Sequence, residues 1–448
     1  MDSRTLRGAL TGTSSPVCVG PSSPRGAGSR ARVRAAADPE ATVSGEVLTV
    51  LRAHGDAGAD NLLVHGDNLV ALRRLEARFA GKIRCAYLDP PYNTGRTFAE
   101  YADARTPAEW DAMMRPRLEA LRPLIADDGA VFVEIDDTQL AALTLLMDAV
   151  FGAQNRISTI TIVRSAPTGH KAINAGPVHV SDFLLVYAKD RKRWRYRSQV
   201  RVREGFDRAY STWLEDPDAK PSRWSFRPLK AAVAEALGHS SPREATRALG
   251  REAFLARVHA HALRHARHVI RFAQPRYEAI GQAAQRIVDR SREAPERVFV
   301  LERDGRPPFV VRGGNRILFL ADKVREIDGR PVIVEPLTNV WDDVPFQGIA
   351  REGGVVFTRN KKPERLVARV LAMASDPGDW VIDPFLGSGT TAAVAHKMGR
   401  RWVGIESGEH LVTLAEPRLR RVIDGADPTG ITAQAGFSGG GGFVVATP

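Results

Sequence analysis

The sequence predicts an α/β fold that is interrupted by an inserted basic α+β region. Strand-like and helix-like segments alternate over residues 60–165, and the same alternation resumes after Asn339. Between them, residues 189–330 contain 32 lysines and arginines against 18 aspartates and glutamates. Alternating strands and helices indicate a sheet covered by helices. The basic stretch therefore indicates an insertion between two halves of one α/β domain.

The first α/β segment is predicted to contain short apolar strands separated by amphipathic helices. Its strands are apolar runs of five or six residues, and its helices have apolar residues at helical spacing. We predict strands at 61–65, 83–88 and 130–135, and helices at 67–79, 107–125 and 137–151. After this segment, a loop at 166–181 and a strand at 183–188 lead into the basic region.

The basic region is predicted to combine a long helix with β-hairpins. The helix, over residues 251–271, carries five arginines and four histidines. Asp-Gly and Gly-Gly pairs, which favour tight turns, separate β-like runs at 297–301, 309–311, 317–320 and 331–335. No carboxylate or cysteine accompanies the histidines at ligand spacing, so no metal site is predicted.

In the last part of the chain, strands and helices alternate again before a glycine-rich end. We predict helices at 363–374, 390–398 and 411–423, a strand that ends at Asp383 and another strand at 401–405. The domain boundaries that follow are a disordered basic tail at 1–45, two halves of the α/β domain at 46–165 and 336–424, the insertion at 166–335, and a glycine-rich disordered tail at 425–448.

Composition restricts the class of protein. Hydrophobic residues make up 43% of the 448 residues, yet no apolar run approaches the length of about 18 residues that spans a bilayer. The two cysteines, Cys18 and Cys85, are far apart, which fits a reducing cytoplasm and argues against a disulfide framework. The net charge is +12 and the isoelectric point about 10.0, values that suit a polyanionic partner.

The tetrapeptide Asp89-Pro90-Pro91-Tyr92 follows an apolar strand and is suited to binding an exocyclic amine. Prolines fix the backbone and remove a donor, so nearby carbonyl groups can face a ligand. The Asp89 carboxylate and the Pro90 carbonyl can each accept one hydrogen of an NH₂ group, and Tyr92 offers a ring on which a base can stack. Taken alone, however, the tetrapeptide would indicate an ordinary strand followed by a Pro-Pro turn.

A second motif, the loop at 383–391, joins a short strand to the start of a helix. Gly387 and Gly389 allow the backbone to turn sharply and to approach a ligand. The helix that follows directs its free N–H groups and its positive dipole end at the loop. Glu406 lies 19 positions after Gly387, at the end of the next strand, where a carboxylate can bind ribose hydroxyls. This loop alone would also suit an ordinary strand-to-helix turn.

Together, the two motifs identify a family. The chain resembles DNA amino-methyltransferases of the β arrangement, in which the catalytic half precedes the cofactor-loop half. Within them it is most similar to the modification (Mod) subunits of type III restriction-modification systems. The likeness covers roughly residues 60–165 and 335–410, and it rests on the stretches 64–69, 81–83 with 89–95, 129–137, 360–366 and 383–391.

The resemblance implies a Rossmann-like methyltransferase fold with a permuted motif order and S-adenosylmethionine as the cofactor. It also implies transfer of a methyl group to N6 of an adenine in double-stranded DNA, and the catalytic residues that it implies are Asp89, Pro90, Pro91 and Tyr92. The target base must leave the duplex to reach them. Cytosine N4 is the alternative acceptor, because its chemistry uses the same geometry; the aspartate at the first motif position favours adenine.

Cofactor-binding residues carry over from the family by matching positions. They are Asp67, Lys362, Pro363, Asp383, Phe385, Gly387, Gly389, Thr390, Thr391 and Glu406. The residues of the 383–391 loop are expected around the methionine part of the cofactor, Glu406 at its ribose and Asp67 at its adenine end. Alternatively, Asp67 caps the helix that it precedes, and Lys362 is a surface charge.

The basic region is expected to contact DNA phosphates. The candidate residues are Arg191, Lys192, Arg193, Arg195, Arg197, Arg201 and Arg203. Likeness to Mod subunits leaves open a homodimer and a restriction subunit as partners, whereas the unmatched segment 166–335 leaves open a solitary methyltransferase. A catalytically silent DNA-binding subunit is the alternative from another class of protein.

Overall fold

The computed structural model describes residues 48–93, 105–166, 176–327, 329–357 and 361–448. These residues form two compact units. The smaller unit is Val200–Pro336, and the larger unit contains the described residues on both sides of that insertion. The tail predicted at 1–45 lies outside the described residues.

The first half of the larger unit contains every strand and helix predicted there. Its elements are β1 (Thr49–Gly55), β2 (Asn61–His65), α1 (Asn68–Phe79), β3 (Ile83–Leu88), α2 (Pro107–Leu121), β4 (Ile125–Ile135), α3 (Asp137–Met147), β5 (Arg156–Val163) and β6 (Ser181–Ala188). Strands β1 and β5 were not predicted.

The smaller unit is an α+β structure, as the sequence predicts. Its elements are β7 (Val200–Val202), β8 (Thr212–Leu214), β9 (Phe226–Pro228), α4 (Leu229–Ala236), α5 (Pro242–Leu249), α6 (Arg251–Arg264), β10 (Val269–Ala273), α7 (Gln282–Glu293), β11 (Val298–Arg303), β12 (Arg306–Arg312), β13 (Asn315–Phe319), β14 (Val324–Ile327) and β15 (Arg330–Pro336). Strands β11-β12-β13-β10-β8-β9 form one antiparallel sheet, and β14-β15-β7 form another.

The predicted helix over 251–271 is wrong beyond residue 264. The chain turns after α6 and enters β10, which pairs with β13 on one side and with β8 on the other. Val269 and Ile270 are completely buried in this strand. Two adjacent β-branched residues fit a pleated sheet better than a helix, and their burial between two neighbouring strands decides the outcome.

The chain then returns to the larger unit. The remaining elements are β16 (Val340–Trp341), α8 (Glu364–Ala374), β17 (Trp380–Asp383), α9 (Thr390–Lys397), β18 (Arg401–Glu406), α10 (Glu416–Ile423), α11 (Thr432–Ala435) and β19 (Gly442–Thr447).

Both halves of the larger unit build one ten-stranded sheet. The strand order is β1-β19-β2-β18-β17-β3-β4-β6-β5-β16, and the neighbours from β19 to β4 are parallel. Strand β6 runs antiparallel to both of its neighbours, β4 and β5. A hydrophobic core lies on each face of the sheet, as parallel strands require. The predicted Rossmann-like α/β fold is confirmed.

The amino-terminal boundary predicted for the insertion, at residue 166, falls too early. Strand β6 lies in the ten-stranded sheet, where its residues 183–188 pair with residues 130–135 of β4. The compact insertion begins at Val200 instead. The sequence does not show whether this apolar strand belongs to the sheet or to the basic region that follows it. The pairing of β6 with β4 assigns the strand to the sheet.

The prediction of a disordered tail at 425–448 is wrong. Strand β19 pairs with β1 and β2, and Phe443 is fully buried with its ring 5.7 Å from that of Trp402. The glycines at 439–441 have positive φ angles and lead the chain back toward the sheet. Glycine content suggested disorder, but the apolar run that follows completes one side of the core.

Because β19 belongs to the core, Phe443→Ala is expected to lower the free energy of unfolding by about 3–5 kcal/mol through lost burial and a residual cavity. Chemical denaturation measures the change. Leu145, whose residue surface is 72% exposed, is the matched control, and Leu145→Ala is expected to cost less than about 0.5 kcal/mol. Equal losses in the two variants would contradict the placement of this strand.

Among the described residues, no helix combines the length and the apolar character that crossing a membrane requires.

Candidate active site

The two sequence motifs meet at the carboxyl edge of the ten-stranded sheet. Strands β3 and β17 are parallel neighbours, so Asp89, which follows β3, and Asp383, which ends β17, leave the sheet side by side. Ligands of open α/β sheets bind at this edge. A cavity of about 270 Å³ lies there, and both motifs line it.

The loop at 383–391, which we call the glycine loop, is held in place by Asp383. The buried carboxylate accepts hydrogen bonds from the Phe385 backbone N–H at 2.9 Å and from the Thr391 hydroxyl at 2.5 Å. Burial raises the pKa of Asp383 to about 7, although both hydrogen bonds oppose the shift. Gly387 and Gly389 have φ angles of 54° and 81°, a region that glycine adopts without steric cost.

Glu406 presents a fixed negative charge on the other side of this loop. Its carboxylate accepts backbone N–H groups from Gly387, Ser407 and Gly408, each at 2.9 Å, and it lies 3.3 Å from the His410 ring. Burial opposes ionisation, but His410 and the backbone donors outweigh it and lower the pKa of Glu406. The cavity wall therefore contains an oriented carboxylate, as the sequence predicts for this position.

Asp67 lies in the cavity wall and also caps α1. Its Oδ1 accepts the backbone N–H groups of Leu69 and Val70, and its Oδ2 accepts a hydrogen bond from Arg117 at 2.9 Å. The capping interpretation is therefore confirmed, and it does not remove the residue from the cavity. The neighbouring Asn68 donates to the Pro384 carbonyl and so connects the first half of the chain to the glycine loop.

The remaining predicted cofactor residues are divided between the wall of the cavity and its support. Phe385 and Thr390 line the cavity, and the Thr390 hydroxyl accepts a hydrogen bond from the buried Arg418 at 2.8 Å. Gly389 and Pro363 lie just outside the wall, each at the residue that precedes a helix. The hydroxyls of Thr390 and Thr391 thus take part in hydrogen bonds that support the loop.

Lys362, which was predicted to bind the cofactor, has three polar contacts within the protein. Its ammonium lies 3.0 Å from Asp89 Oδ1, 2.9 Å from Glu134 Oε1 and 2.5 Å from the Tyr92 hydroxyl. Its contacts are with the catalytic motif, although the residue also lines the shared cavity. The surface-charge alternative is wrong, because the side chain is only 7% exposed. Burial alone would lower the pKa of Lys362, but Asp89 and Glu134 outweigh burial and raise the pKa.

Asp89 remains accessible to a ligand, and the buried Lys362 ammonium balances its negative charge. The Asp89 side chain is 19% exposed and borders the cavity. Burial and the nearby Glu134 raise the pKa of Asp89 to about 6, whereas Lys362 and the Tyr92 hydroxyl lower it. Above that pH the carboxylate is ionised and can only accept hydrogen bonds, which is the state that binding an amine requires.

The Tyr92 ring does not offer the stacking face that the motif suggested. The residue is 8% exposed, and the Lys362 ammonium lies 4.8 Å from the centre of its ring. Such a cation over the ring face is attracted by the π-electrons. Pro90 is buried, Pro91 lines the cavity, and the Pro91 carbonyl accepts a hydrogen bond from the Trp110 indole at 2.9 Å. The Tyr92 ring and the Pro91 carbonyl therefore also hold the motif in place.

Sequence reasoning missed the two carboxylates beneath Asp89. Glu134, near the end of β4, is fully buried and accepts a hydrogen bond from the Tyr87 hydroxyl at 2.5 Å. Asp182 in β6 is also fully buried, 2.9 Å from Arg164, and burial raises its pKa to about 7. A single acid within an apolar strand was the available signal for Glu134, because burying an unpaired charge is costly.

Two aromatic rings complete the cavity wall near Glu406. Phe357 and His410 both line the cavity, with ring centres 5.8 Å apart. Neither residue belongs to a motif, and no pattern in the sequence connects them. In the part of the chain that the structure describes, no group of histidines, cysteines and carboxylates is arranged to hold a metal ion.

The seven basic residues predicted to contact DNA fall in both units, and four of them are paired within the chain. Arg193 pairs with Asp127 and Asp190, Arg197 with Asp376 and Asp379, and Arg201 and Arg203 with Glu335. The other three, Arg191, Lys192 and Arg195, are exposed. Paired arginines have less net charge to offer a phosphate.

Comparison with known proteins agrees with the site. The model of a DNA methylase family matches residues 83–249 and 281–417, which include both motifs. This chain belongs to that DNA methylase family.

Individual relatives come from restriction-modification systems. The chain is 30% identical to the "Probable type III restriction-modification enzyme HindVI Mod subunit" of Haemophilus influenzae, a match that covers 88% of this chain and 55% of the relative. It is 26% identical to the type II methyltransferase M.EcaI of Enterobacter cloacae, over 83% of this chain and 71% of the relative. The chain thus spans about half the length of the HindVI Mod subunit.

Among solved structures, similarity is found with the complex of M1.HpyAVI with SAM, at 13% identity and a TM-score of 0.37, covering 80% of this chain and 98% of that one. The cytosine-N4-specific PvuII DNA methyltransferase gives 12% identity and a TM-score of 0.37, covering 80% and 86%.

Lys362 is expected to be essential for stability because it neutralises buried carboxylates. Lys362→Met should lower the free energy of unfolding at pH 8 by about 3–5 kcal/mol, as removal of one partner of a buried pair does. The loss should shrink toward pH 6, because the folded state can then take up the missing positive charge as a proton. Denaturation at both pH values measures this effect.

A matched control for this variant is Lys82→Met, at an exposed lysine, with an expected change below about 0.5 kcal/mol. The double variant Lys362→Met with Glu134→Gln should recover part of the loss, since it removes one of the orphaned charges. A loss that is the same at pH 6 and pH 8, with no recovery in the double variant, would contradict this charge balance.

Proposed function

We propose that the chain is a DNA methyltransferase that transfers the methyl group of S-adenosylmethionine to N6 of an adenine in duplex DNA. The observation that carries this proposal is the single cavity that Asp89 shares with the glycine loop and Glu406. An amine bound at Asp89 and a cofactor bound along the loop would then be neighbours. Positioning of two reactants is itself a large part of catalysis.

The residues of the cavity fit this cofactor. Glu406 supplies an ionised carboxylate suited to ribose hydroxyls, and the buried Asp383 supplies a second acid for the positively charged methionine part. Phe357 and Phe385 provide apolar surface for the adenine ring. When bound, S-adenosylmethionine supplies a methyl group activated by its sulfonium. The loop lets the backbone pass close to this ligand, because Gly387 has no side chain to obstruct it.

Asp89 is assigned the role of holding and electronically biasing the amine. The adenine amine is a poor nucleophile because its lone pair is delocalised into the ring. Hydrogen bonds from both N–H groups, to Asp89 and to the Pro90 carbonyl, favour a tetrahedral nitrogen whose lone pair is available. The nitrogen then forms its bond to the methyl group as the bond from methyl to sulfur breaks. The surplus proton leaves afterwards, so no base is needed before the attack.

Base extrusion is part of the proposal, because an amine inside a stacked pair cannot reach Asp89. Because Tyr92 is buried, a residue other than Tyr92 must hold the extruded base. The candidate phosphate contacts remain Arg191, Lys192, Arg193, Arg195, Arg197, Arg201 and Arg203. Arg191, Lys192 and Arg195 are best supported, because they are exposed and form no ion pair with another described residue.

Names of the relatives suggest two settings for this activity. The HindVI relative is called a Mod subunit, whereas M.EcaI is called a type II methyltransferase. A restriction subunit is therefore one candidate partner. A second copy of this chain, expected from the sequence resemblance, is the other candidate. Expression of the chain without other subunits tests whether it needs either a restriction subunit or another protein of its own system.

The first experiment is single-molecule sequencing of DNA from cells that express this chain alone, with Asp89→Ala as the control. N6-methyladenine in one short motif, absent from the control, would establish the base and the recognition sequence together. N4-methylcytosine would keep the mechanism and change the substrate. Absence of any modified base, together with retained cofactor binding by the purified chain, would indicate a missing partner.

Asp89→Ala is expected to abolish methyl transfer and to leave cofactor affinity within about threefold, because Asp89 binds the acceptor amine and Glu406 binds the cofactor. Affinity is measured by calorimetry with S-adenosylmethionine, and transfer with labelled cofactor. A variant that keeps a comparable transfer rate would refute the assigned role, and a variant that loses both properties would move Asp89 to the cofactor.

The rate of transfer at saturating substrates is expected to fall as the pH drops through about 6, the pKa to which burial and Glu134 raise Asp89. Protonated Asp89 donates a hydrogen bond where an acceptor is required. Glu134→Gln removes a neighbouring negative charge and should move the acid limb of the pH–rate profile to lower pH. An unchanged limb in this variant would detach the titration from Asp89.

A further inference from the structure

The smaller unit contains a second large concave surface, whose lining includes none of the residues assigned above. It is an open groove of about 1060 Å³ formed by α4, α5, α6 and the loops around β8 and β9. Its floor is apolar and aromatic, and includes Phe206, Tyr210 and Phe254. We call it the α4–α6 groove, and it is distinct from the basic run 191–203 that sequence reasoning selected.

The charge of the groove is one-sided. Arg208, Lys230, Arg243, Arg247 and Arg251 line it, and all five are exposed. No lining residue is an aspartate or a glutamate. A concave surface of one sign focuses the field and concentrates counter-ions or charged ligands.

These five cations also lack partners within the described part of the chain. No hydrogen bond or ion pair of their side chains is found there, whereas Arg227, the remaining basic residue of the groove, pairs with Glu215 and Glu235. The contrast with the basic run is direct, because Arg193, Arg197, Arg201 and Arg203 are all paired internally. Five of the six lysines and arginines of the groove thus keep their charge, whereas ion pairs neutralise four of the seven basic residues of the run.

The spacing of the groove cations is unfavourable unless an anion is present. Arg243 and Arg247 are four residues apart on α5, so they lie on the same face of the helix. Like charges at this spacing destabilise a helix by a few tenths of a kcal/mol. Arg251 begins α6 four residues further on, after Gly250. All three arginines line the groove.

The positive charge of the groove also affects the pKa of His259. His259 stacks on Phe206 with ring centres 4.5 Å apart and borders the same groove. Burial lowers the pKa of His259, and the positive charges of Arg208 and Lys230 lower it further. Positive potential thus reaches the floor of the groove as well as its rim.

We infer that the α4–α6 groove binds the sugar-phosphate backbone of the duplex DNA substrate and supplies most of the salt-dependent part of DNA affinity. This inference rests on the proposed function, which makes DNA the substrate. Five separated cations fit several phosphates along a strand better than one small anion. Arginine and lysine contacts of this kind position a protein on DNA without reading sequence.

The inference predicts a measurable salt dependence. Each phosphate that a cation neutralises contributes about 0.9 to the slope of log affinity against log salt concentration. Removal of two groove cations should therefore reduce the magnitude of this slope by about 1.8. Affinity near 0.1 M salt should fall by roughly tenfold or more, because part of the counter-ion release is lost.

The test compares Arg243→Ala with Arg247→Ala as a double variant against wild type, by fluorescence anisotropy on duplex DNA at several salt concentrations. Alanine is a good helix former, so α5 should be retained. The matched control is the double variant Arg286→Ala with Arg290→Ala on α7, which removes the same charge from an exposed helix of the same unit, outside the groove. A second double variant, Arg243→Lys with Arg247→Lys, keeps the charge.

The inference is supported if the alanine variant loses affinity and slope as stated, the α7 control changes by less than half as much, and the lysine variant retains most of both. It is overturned if the alanine variant and wild type have the same slope, or if the α7 control is affected equally. If wild type binds DNA and the groove variants bind it equally well, only this inference is overturned. Wild type that binds S-adenosylmethionine but no DNA removes the proposed substrate as well.

Discussion

The site depends on one pairing, the parallel alignment of β3 with β17. These strands are separated by almost three hundred residues and by the entire smaller unit, yet Ala86 and Ile382 are direct neighbours in the sheet. Since parallel neighbours end at the same edge, this pairing alone brings Asp89 to the glycine loop. Asn68, which donates to the Pro384 carbonyl, strengthens the connection between the two halves. A fold that separated these strands would contain both motifs and no shared cavity.

Beneath this edge, a buried cluster of charges supports the proposed acceptor site. One ammonium, that of Lys362, balances Asp89 and Glu134, and two tyrosine hydroxyls supply further hydrogen bonds. Buried charges are tolerated only when they are paired in this way. The arrangement leaves Asp89 partly exposed with a pKa near neutrality, while its supporting partners are removed from water. Asp89 thus stays accessible to a ligand, while the buried Lys362 balances the charge.

Electrostatics also distinguishes the two units. Basic residues are abundant along the insertion. Some of them, such as Arg201, Arg203 and Arg227, form ion pairs with nearby acids that neutralise their charge. Five cations that form no ion pair with another described residue share one concave surface, the α4–α6 groove. Density of arginine along the sequence is therefore a poor guide to where a polyanion binds, because it counts paired and unpaired side chains alike.

The sequence by itself determined the α/β class, most elements of the larger unit and the two motifs, because these depend on local periodicity, turn chemistry and short-range spacing. The tertiary structure alone decided which residues share the cavity. Lys362 was assigned to the cofactor but supports Asp89, Tyr92 was assigned an open face but is buried, and Glu134 was not assigned at all. The glycine-rich end also became a core strand. Each outcome depends on contacts between residues far apart in the chain, and local pattern contains no information on those distances.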